Sequence, residues 1–208
     1  MLRASPESPR MFESEWLDSL SRAPVWLVPA IYLPLVTLVV GWSRAVEATP
    51  WSSLAAQIGL GWVAWTLMEY GLHRTVFHWV PDTAWGERFH FYVHGVHHQW
   101  FQDRYRLVMP PAVSLTLAAL VFGGLWALGA LAGSVLDPSW VKGVYAGIVF
   151  GYTVYDCTHY ALHHAKPLTP IGHALRAHHN KHHHNAKYAE KKFGVSTTLW
   201  DHVFRTYD

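Results

Sequence analysis

Histidine is the residue type in this chain best placed to do chemistry. His94, His97 and His98 form an H-x-x-H-H motif, and His179, His182 and His183 repeat it eighty-five residues later. On an α-helix, positions i, i+3 and i+4 fall within about 100° of one face, so each triplet is expected to point at a common centre. His159 and His163 supply an i, i+4 pair, and His73 and His78 a wider one. These ten imidazoles exceed the four ligands of a tetrahedral structural site and suit two metal ions of about five nitrogens each. The residues therefore read as a dinuclear, all-histidine centre, with a structural zinc site as the competing reading.

The setting follows from composition. Of 208 residues, 51% are hydrophobic and only 14% charged, against roughly 25% charged in an ordinary soluble domain. With 12 Trp, 10 Tyr and 9 Phe, the chain reads as a membrane protein. A formal charge of +2 is too small to suggest nucleic acid as a partner, and none is expected. Sixteen histidines are more than packing requires, and helical spacing separates them from a low-complexity histidine tail. Cys157 stands alone, which rules out an intramolecular disulfide.

The elements that must position the histidines can be read in order. Residues 1–23 form a polar leader in which Phe12, Trp16, Leu17 and Leu20 alternate with Glu13, Glu15 and Asp18, predicting an amphipathic surface helix over 12–21. It lacks the plan of a cleaved secretory signal and is expected to be retained. Residues 24–208 read as a single membrane-embedded domain with crossings at about 24–42, 53–72, 112–136 and 140–160, each close to the roughly 20 residues a bilayer requires. The second and fourth qualify only if their helices continue into the polar ends that carry histidine.

Four crossings place all ten histidines on one side. Fourteen of the sixteen Lys and Arg fall on that side, while Arg44 and Lys142 occupy the opposite loops. By the positive-inside rule both termini and the metal site face the cytoplasm, at a bacterial inner membrane or the endoplasmic reticulum. The expected fold is all-α: an integral membrane protein with four transmembrane helices and a cytosolic histidine-rich cap holding a dinuclear metal site. Glu69, four residues before His73, and Asp156, three before His159, stand where each could accept the second ring N–H of a ligand histidine. A carboxylate at a membrane helix end is costly enough to suggest such a role. The tryptophans at 42, 51, 62, 65, 100, 126 and 140 read as interfacial and packing residues, and Asp103, Arg104 and Arg106 as a solvated face.

Several runs carry a resemblance that goes beyond histidine spacing. Glu69-Tyr70-Gly71-Leu72-His73-Arg74 through Phe77-His78, His94 to His98 followed by Asp103-Arg-Tyr-Arg-Leu-Val-Met-Pro-Pro111, Tyr155-Asp156 through His159-Tyr160 to His163-His164, and Gly194-Val195-Ser196 with Leu199-Trp200-Asp201 resemble the fatty acid hydroxylase superfamily. Within it, the fatty acid 2-hydroxylase, or sphingolipid alpha-hydroxylase, branch is the nearest in pattern. The resemblance spans about residues 60–207. It implies that His73, His78, His94, His97, His98, His159, His163, His179, His182 and His183 are metal ligands, and that His90, His164, His173, His178, His184 and His202 are not.

The same resemblance implies two iron ions in the working enzyme, with zinc able to occupy the site. It implies O₂ as co-substrate and hydroxylation of carbon 2 of a fatty acyl chain, free or in ceramide or another sphingolipid, entering from the membrane. Imidazole suits iron, whereas zinc cannot change oxidation state. Many eukaryotic members carry an electron-delivering cytochrome domain with a His-Pro-Gly-Gly motif. This chain has no such motif, so electrons are expected from a separate donor protein. The open alternatives are a sterol or carotenoid hydroxylase or desaturase of the same superfamily, and a non-catalytic zinc-binding membrane protein.

Overall fold

The computed structural model describes residues 8–131 and 138–208; residues 1–7 of the leader and 132–136 of the third expected crossing lie outside them. Among the described residues the chain is helical and contains no strand. The elements are α1 (Glu15–Leu20), α2 (Leu27–Ala45), α3 (Trp51–Leu72), a π-helical turn (His73–Phe77), α4 (Ala84–His90), a second π-helical turn (Phe91–Gly95), α5 (Val96–Gln99), α6 (Pro111–Leu131), α7 (Pro138–His164), α8 (Pro170–His184), a 3₁₀ turn (Ala186–Tyr188) and α9 (Leu199–Val203).

Among the described residues two compact units result: residues 26–65 with 111–131 and 138–154, and residues 8–25 with 66–110 and 155–208. The first is a helical assembly in which Tyr32, Trp65, Ser114 and Tyr152 turn inward. The Tyr32 hydroxyl donates to Ser114 Oγ at 2.6 Å, and the Tyr32 and Trp65 rings meet Tyr152 edge-on at 5.0 and 5.4 Å. Gly61, Gly143, Gly147 and Gly151 let α3 and α7 approach closely. A Cβ on Gly147 would stand 2.2 Å from the Ile58 carbonyl oxygen, and one on Gly61 2.1 Å from that of Val144. Small residues at four-residue spacing permit this backbone contact in apolar surroundings.

Leucines point outward from the same unit: Leu38, Leu120, Leu128 and Leu131 are exposed. α2 and α6 are long and apolar enough to cross a membrane. The other two expected crossings correspond to α3 and α7, whose polar ends carry Glu69 and the 156–164 stretch.

The second unit holds a buried charge cluster. The Asp18 carboxylate receives Arg22 at 2.9 Å and Arg106 at 2.7 Å, and Asp103 lies 3.6 Å from Arg106. Asp103 and Arg106 are buried, which corrects the solvated-face reading for both; Arg104 alone is exposed. The physical reason is α1, whose Asp18 turns inward and supplies the countercharge that lets two guanidiniums leave water.

Candidate metal centre

The local structure around each histidine explains how spacing becomes geometry. His73 and His78 are five residues apart, and in an α-helix the later residue would stand about 140° round the axis. The π-helical turn over His73–Phe77 widens the backbone ring to i→i+5, which brings His78 back over His73. A second π-helical turn, Phe91–Gly95, leads into the 94–98 motif. His159 and His163 lie on the last turns of α7. α8, which carries the second motif, starts with Pro170 behind Thr169, whose Oγ1 accepts the Gly172 N–H at 3.1 Å.

All ten histidines come together, in two groups. His73, His78, His94, His98 and His182 form one, and His97, His159, His163, His179 and His183 the other; within each, the nitrogens lie within 4.8 Å of one another. Each H-x-x-H-H motif is therefore divided between the groups, which corrects the expectation of one centre per motif. In the first motif His94 and His98 serve one group and His97 the other; in the second His179 and His183 serve one group and His182 the other. Consecutive helical residues diverge by about 100°, so His97 and His98 cannot point alike. The groups adjoin, the His98 and His183 rings stacking at 4.1 Å.

The converging atoms are the Nε2 nitrogens. In the first group Nε2 pairs approach to 3.1 Å (His73 and His94), 3.1 Å (His78 and His182) and 2.8 Å (His94 and His98). In the second the approaches are 3.1 Å (His97 and His183), 3.1 Å (His159 and His179) and 2.9 Å (His163 and His179). Two nitrogens each about 2.1 Å from one ion at a right angle would be about 3 Å apart, so these spacings match the edges of a coordination shell.

Electrostatics favour neutral rings. Burial pushes the His73, His94, His97 and His179 imidazoles well below the usual range, and neighbouring histidines add to the effect. Burial likewise lowers His78 and His182 to about 4, and His98 and His163 to about 3. Rings without protons on Nε2 present lone pairs, which is the form a metal binds. Two tautomers are fixed from behind: His73 Nδ1 donates to the Phe193 carbonyl at 2.6 Å and His182 Nδ1 to that of Lys191 at 2.7 Å.

Glu69 does not take the role expected of it. His73 turns to the Phe193 carbonyl instead, and the Glu69 carboxylate accepts the Val195 and Ser196 N–H groups at 2.7 and 2.8 Å together with the Ser196 hydroxyl. Asp156 is buried and accepts the Met109 N–H at 3.3 Å. The remaining histidines stand outside both groups: His90 Nδ1 donates to Phe77 O at 2.7 Å, and His178 Nε2 lies 3.0 Å from Asp201. Asp201 escaped assignment in the sequence. It is fully buried and accepts from Phe193 N, Gly194 N and Thr206 Oγ1. Its signals in the sequence are its place in the Leu199-Trp200-Asp201 run that carries the resemblance and an acid set among Leu199, Trp200, Val203 and Phe204.

Comparison with known proteins gives a consistent result. The family model for fatty acid hydroxylase matches residues 58–206. The chain is 38% identical over 200 residues to dihydroceramide fatty acyl 2-hydroxylase FAH2 of Arabidopsis thaliana, covering 96% of this chain and 80% of that protein. It is 36% identical over 195 residues to ceramide very long chain fatty acid hydroxylase SCS7 of Saccharomyces cerevisiae, covering 92% of this chain and 48% of that one. A solved structure of full-length Scs7p, in which only the hydroxylase domain is visible, matches with a TM-score of 0.85 at 34% identity, over 99% of this chain and 73% of the other. On these grounds the chain belongs to the fatty acid hydroxylase family.

Proposed function

We propose that the chain is a membrane-bound monooxygenase that hydroxylates carbon 2 of a fatty acyl chain, free or within ceramide or another sphingolipid. The observation that carries this reading is the pair of adjoining five-histidine groups, all converging through Nε2, in a member of a hydroxylase family. The names of the relatives support the acyl position and the ceramide class. The ten histidines are the ligands, five to each of two iron ions, with zinc able to take their place in purified protein. Bound there, the iron pair supplies the redox chemistry that reduces O₂ and oxidises a C–H bond, which zinc cannot do.

The overall balance is R–H + O₂ + 2e⁻ + 2H⁺ → R–OH + H₂O, with the electrons coming from a separate donor protein. The chain's own task is to hold neutral imidazoles in place, and burial favours that state. Residues 24–208 act as one membrane-embedded domain, with α2, α3, α6 and α7 as its four crossings. The outward leucines of α2 and α6 support a membrane setting, and the bias of Lys and Arg supports a cytoplasmic site.

The test is expression in a host supplied with a reductase and ceramide, followed by mass spectrometry of extracted acyl chains and measurement of iron and zinc per chain. Expected are 2-hydroxy acyl products and close to two irons. Oxygen inserted in sterol or carotenoid instead would overturn the substrate class. Persistent inactivity after iron reloading and donor supply would overturn the enzymatic reading.

A further inference from the structure

The two histidine groups are unequal in what stands behind them. In the first, His73 and His182 donate through Nδ1 to the carbonyls of Phe193 and Lys191, and His78 Nδ1 lies 3.6 Å from the Glu190 carboxylate. All three partners belong to the single stretch 190–196. In the second, His179 Nδ1 and His183 Nδ1 are buried and meet no hydrogen-bond partner among the described residues.

The stretch is itself held rigidly. Asp201 receives the N–H groups of Phe193 and Gly194, each at 2.9 Å, and Glu69 receives those of Val195 and Ser196. Lys192 N–H donates to Thr206 O at 2.9 Å, with the Lys192 backbone in the left-handed region at φ 61°. Gly194 has no room for a side chain: a Cβ would stand 2.1 Å from Thr197 O and 2.8 Å from Asp201 Oδ2. An Nδ1–H donated to a fixed carbonyl sets the tautomer, aims the ring and makes Nε2 more basic, so the cost of ordering is met before a metal arrives.

We propose that the strap 190–196 makes the His73, His78, His94, His98 and His182 group the tighter and more slowly exchanging of the two metal sites. In this proposal Asp201 and Glu69 are positioning residues that act on His73 and His182 through the strap's carbonyls. The inference rests on the two-metal reading above. Removing outer partners of metal ligands typically weakens metal binding by about 10–100-fold, which sets the size of the effect.

The experiment follows metal release from the full-length purified chain, loaded with zinc alone, into an excess of chromogenic chelator. Two zinc ions per chain should leave in two phases of equal amplitude. His179→Ala should abolish the fast phase and leave one slowly released zinc. Asp201→Asn and Glu69→Gln should each quicken the slow phase by about 10–100-fold without changing the fast one. Helical circular dichroism and a single elution peak identify variants that remain folded. The wild type and His179→Ala decide the order of release even where Asp201→Asn does not fold. A single phase for both ions, loss of the slow phase in His179→Ala, or equal quickening of both phases would overturn the proposal. A chain that binds no pair of zinc ions overturns the two-metal reading itself.

Discussion

His97 and His98 are neighbours in the chain and belong to different groups. His97→Ala and His182→Ala, which alter different groups, should therefore have parallel consequences. Each should lower bound metal from about two ions to about one and abolish 2-hydroxy product, because each removes a ligand outright. His173→Ala, at an exposed position outside both groups, should keep metal content and activity. Metal analysis alongside product measurement checks all three, and full activity in His97→Ala would sink the ligand assignment. The ten histidine positions were legible in the sequence because ligation needs a specific residue type at a specific spacing. Their division was not: a face about 100° wide is broad enough to serve two adjoining centres, and spacing alone cannot choose. The role of Asp201 was illegible for another reason. Two of its four partners are backbone N–H groups, which leave no mark in the identity of the residues that carry them, and the other two, His178 and Thr206, reach it only once the chain has folded.

At the scale of elements, helix lengths were readable from apolar runs, but the contacts between helices were not. The glycines of α7 illustrate the gap, since Gly143, Gly147 and Gly151 stand at four-residue intervals that no hydropathy argument singles out. In the structure they are the points where α3 presses closest. Gly147→Ala places a methyl 2.2 Å from the Ile58 carbonyl oxygen and 2.9 Å from Gly61 Cα, both backbone atoms that cannot swing aside. The expected loss is about 1–3 kcal/mol, the usual cost of overpacking. Gly124→Ala on α6 meets nothing within 4 Å and should be neutral or slightly stabilising through its better helix propensity. Thermal unfolding of the two variants in one detergent tests the contrast, and equal midpoints would remove the argument for close backbone contact. The π-helical turn at His73 had a visible trace in the five-residue spacing of His73 and His78, a distance that an α-helix does not bring to one face.

At the scale of the whole molecule, a chain that is only 14% charged nevertheless buries Asp18, Arg22, Asp103 and Arg106. Asp18→Ala would leave two guanidiniums without their shared carboxylate, at a cost of about 3–5 kcal/mol, and a loss below about 1 kcal/mol in chemical denaturation would show that the pairing is dispensable. The histidines set a second global property, the dependence of stability on pH. In the unfolded chain these imidazoles take up protons near their ordinary value of 6.5, whereas folding delays protonation to about 4 for His78 and His182 and about 3 for His98 and His163. Between those limits the unfolded state holds more protons, so stability rises with pH across the interval. The metal-free protein should therefore be most stable above pH 6.5 and weaken steadily as the pH falls toward 4. Metal competes with protons for the same lone pairs and binds only the folded arrangement, so loading should raise the midpoint at neutral pH and move the acid limb lower. Unfolding midpoints of metal-free and zinc-loaded protein from about pH 7.5 to pH 4.5 test this sign. A flat metal-free profile would mean that the folded imidazoles protonate as freely as unfolded ones, and that burial does not keep the ligand set ready for metal.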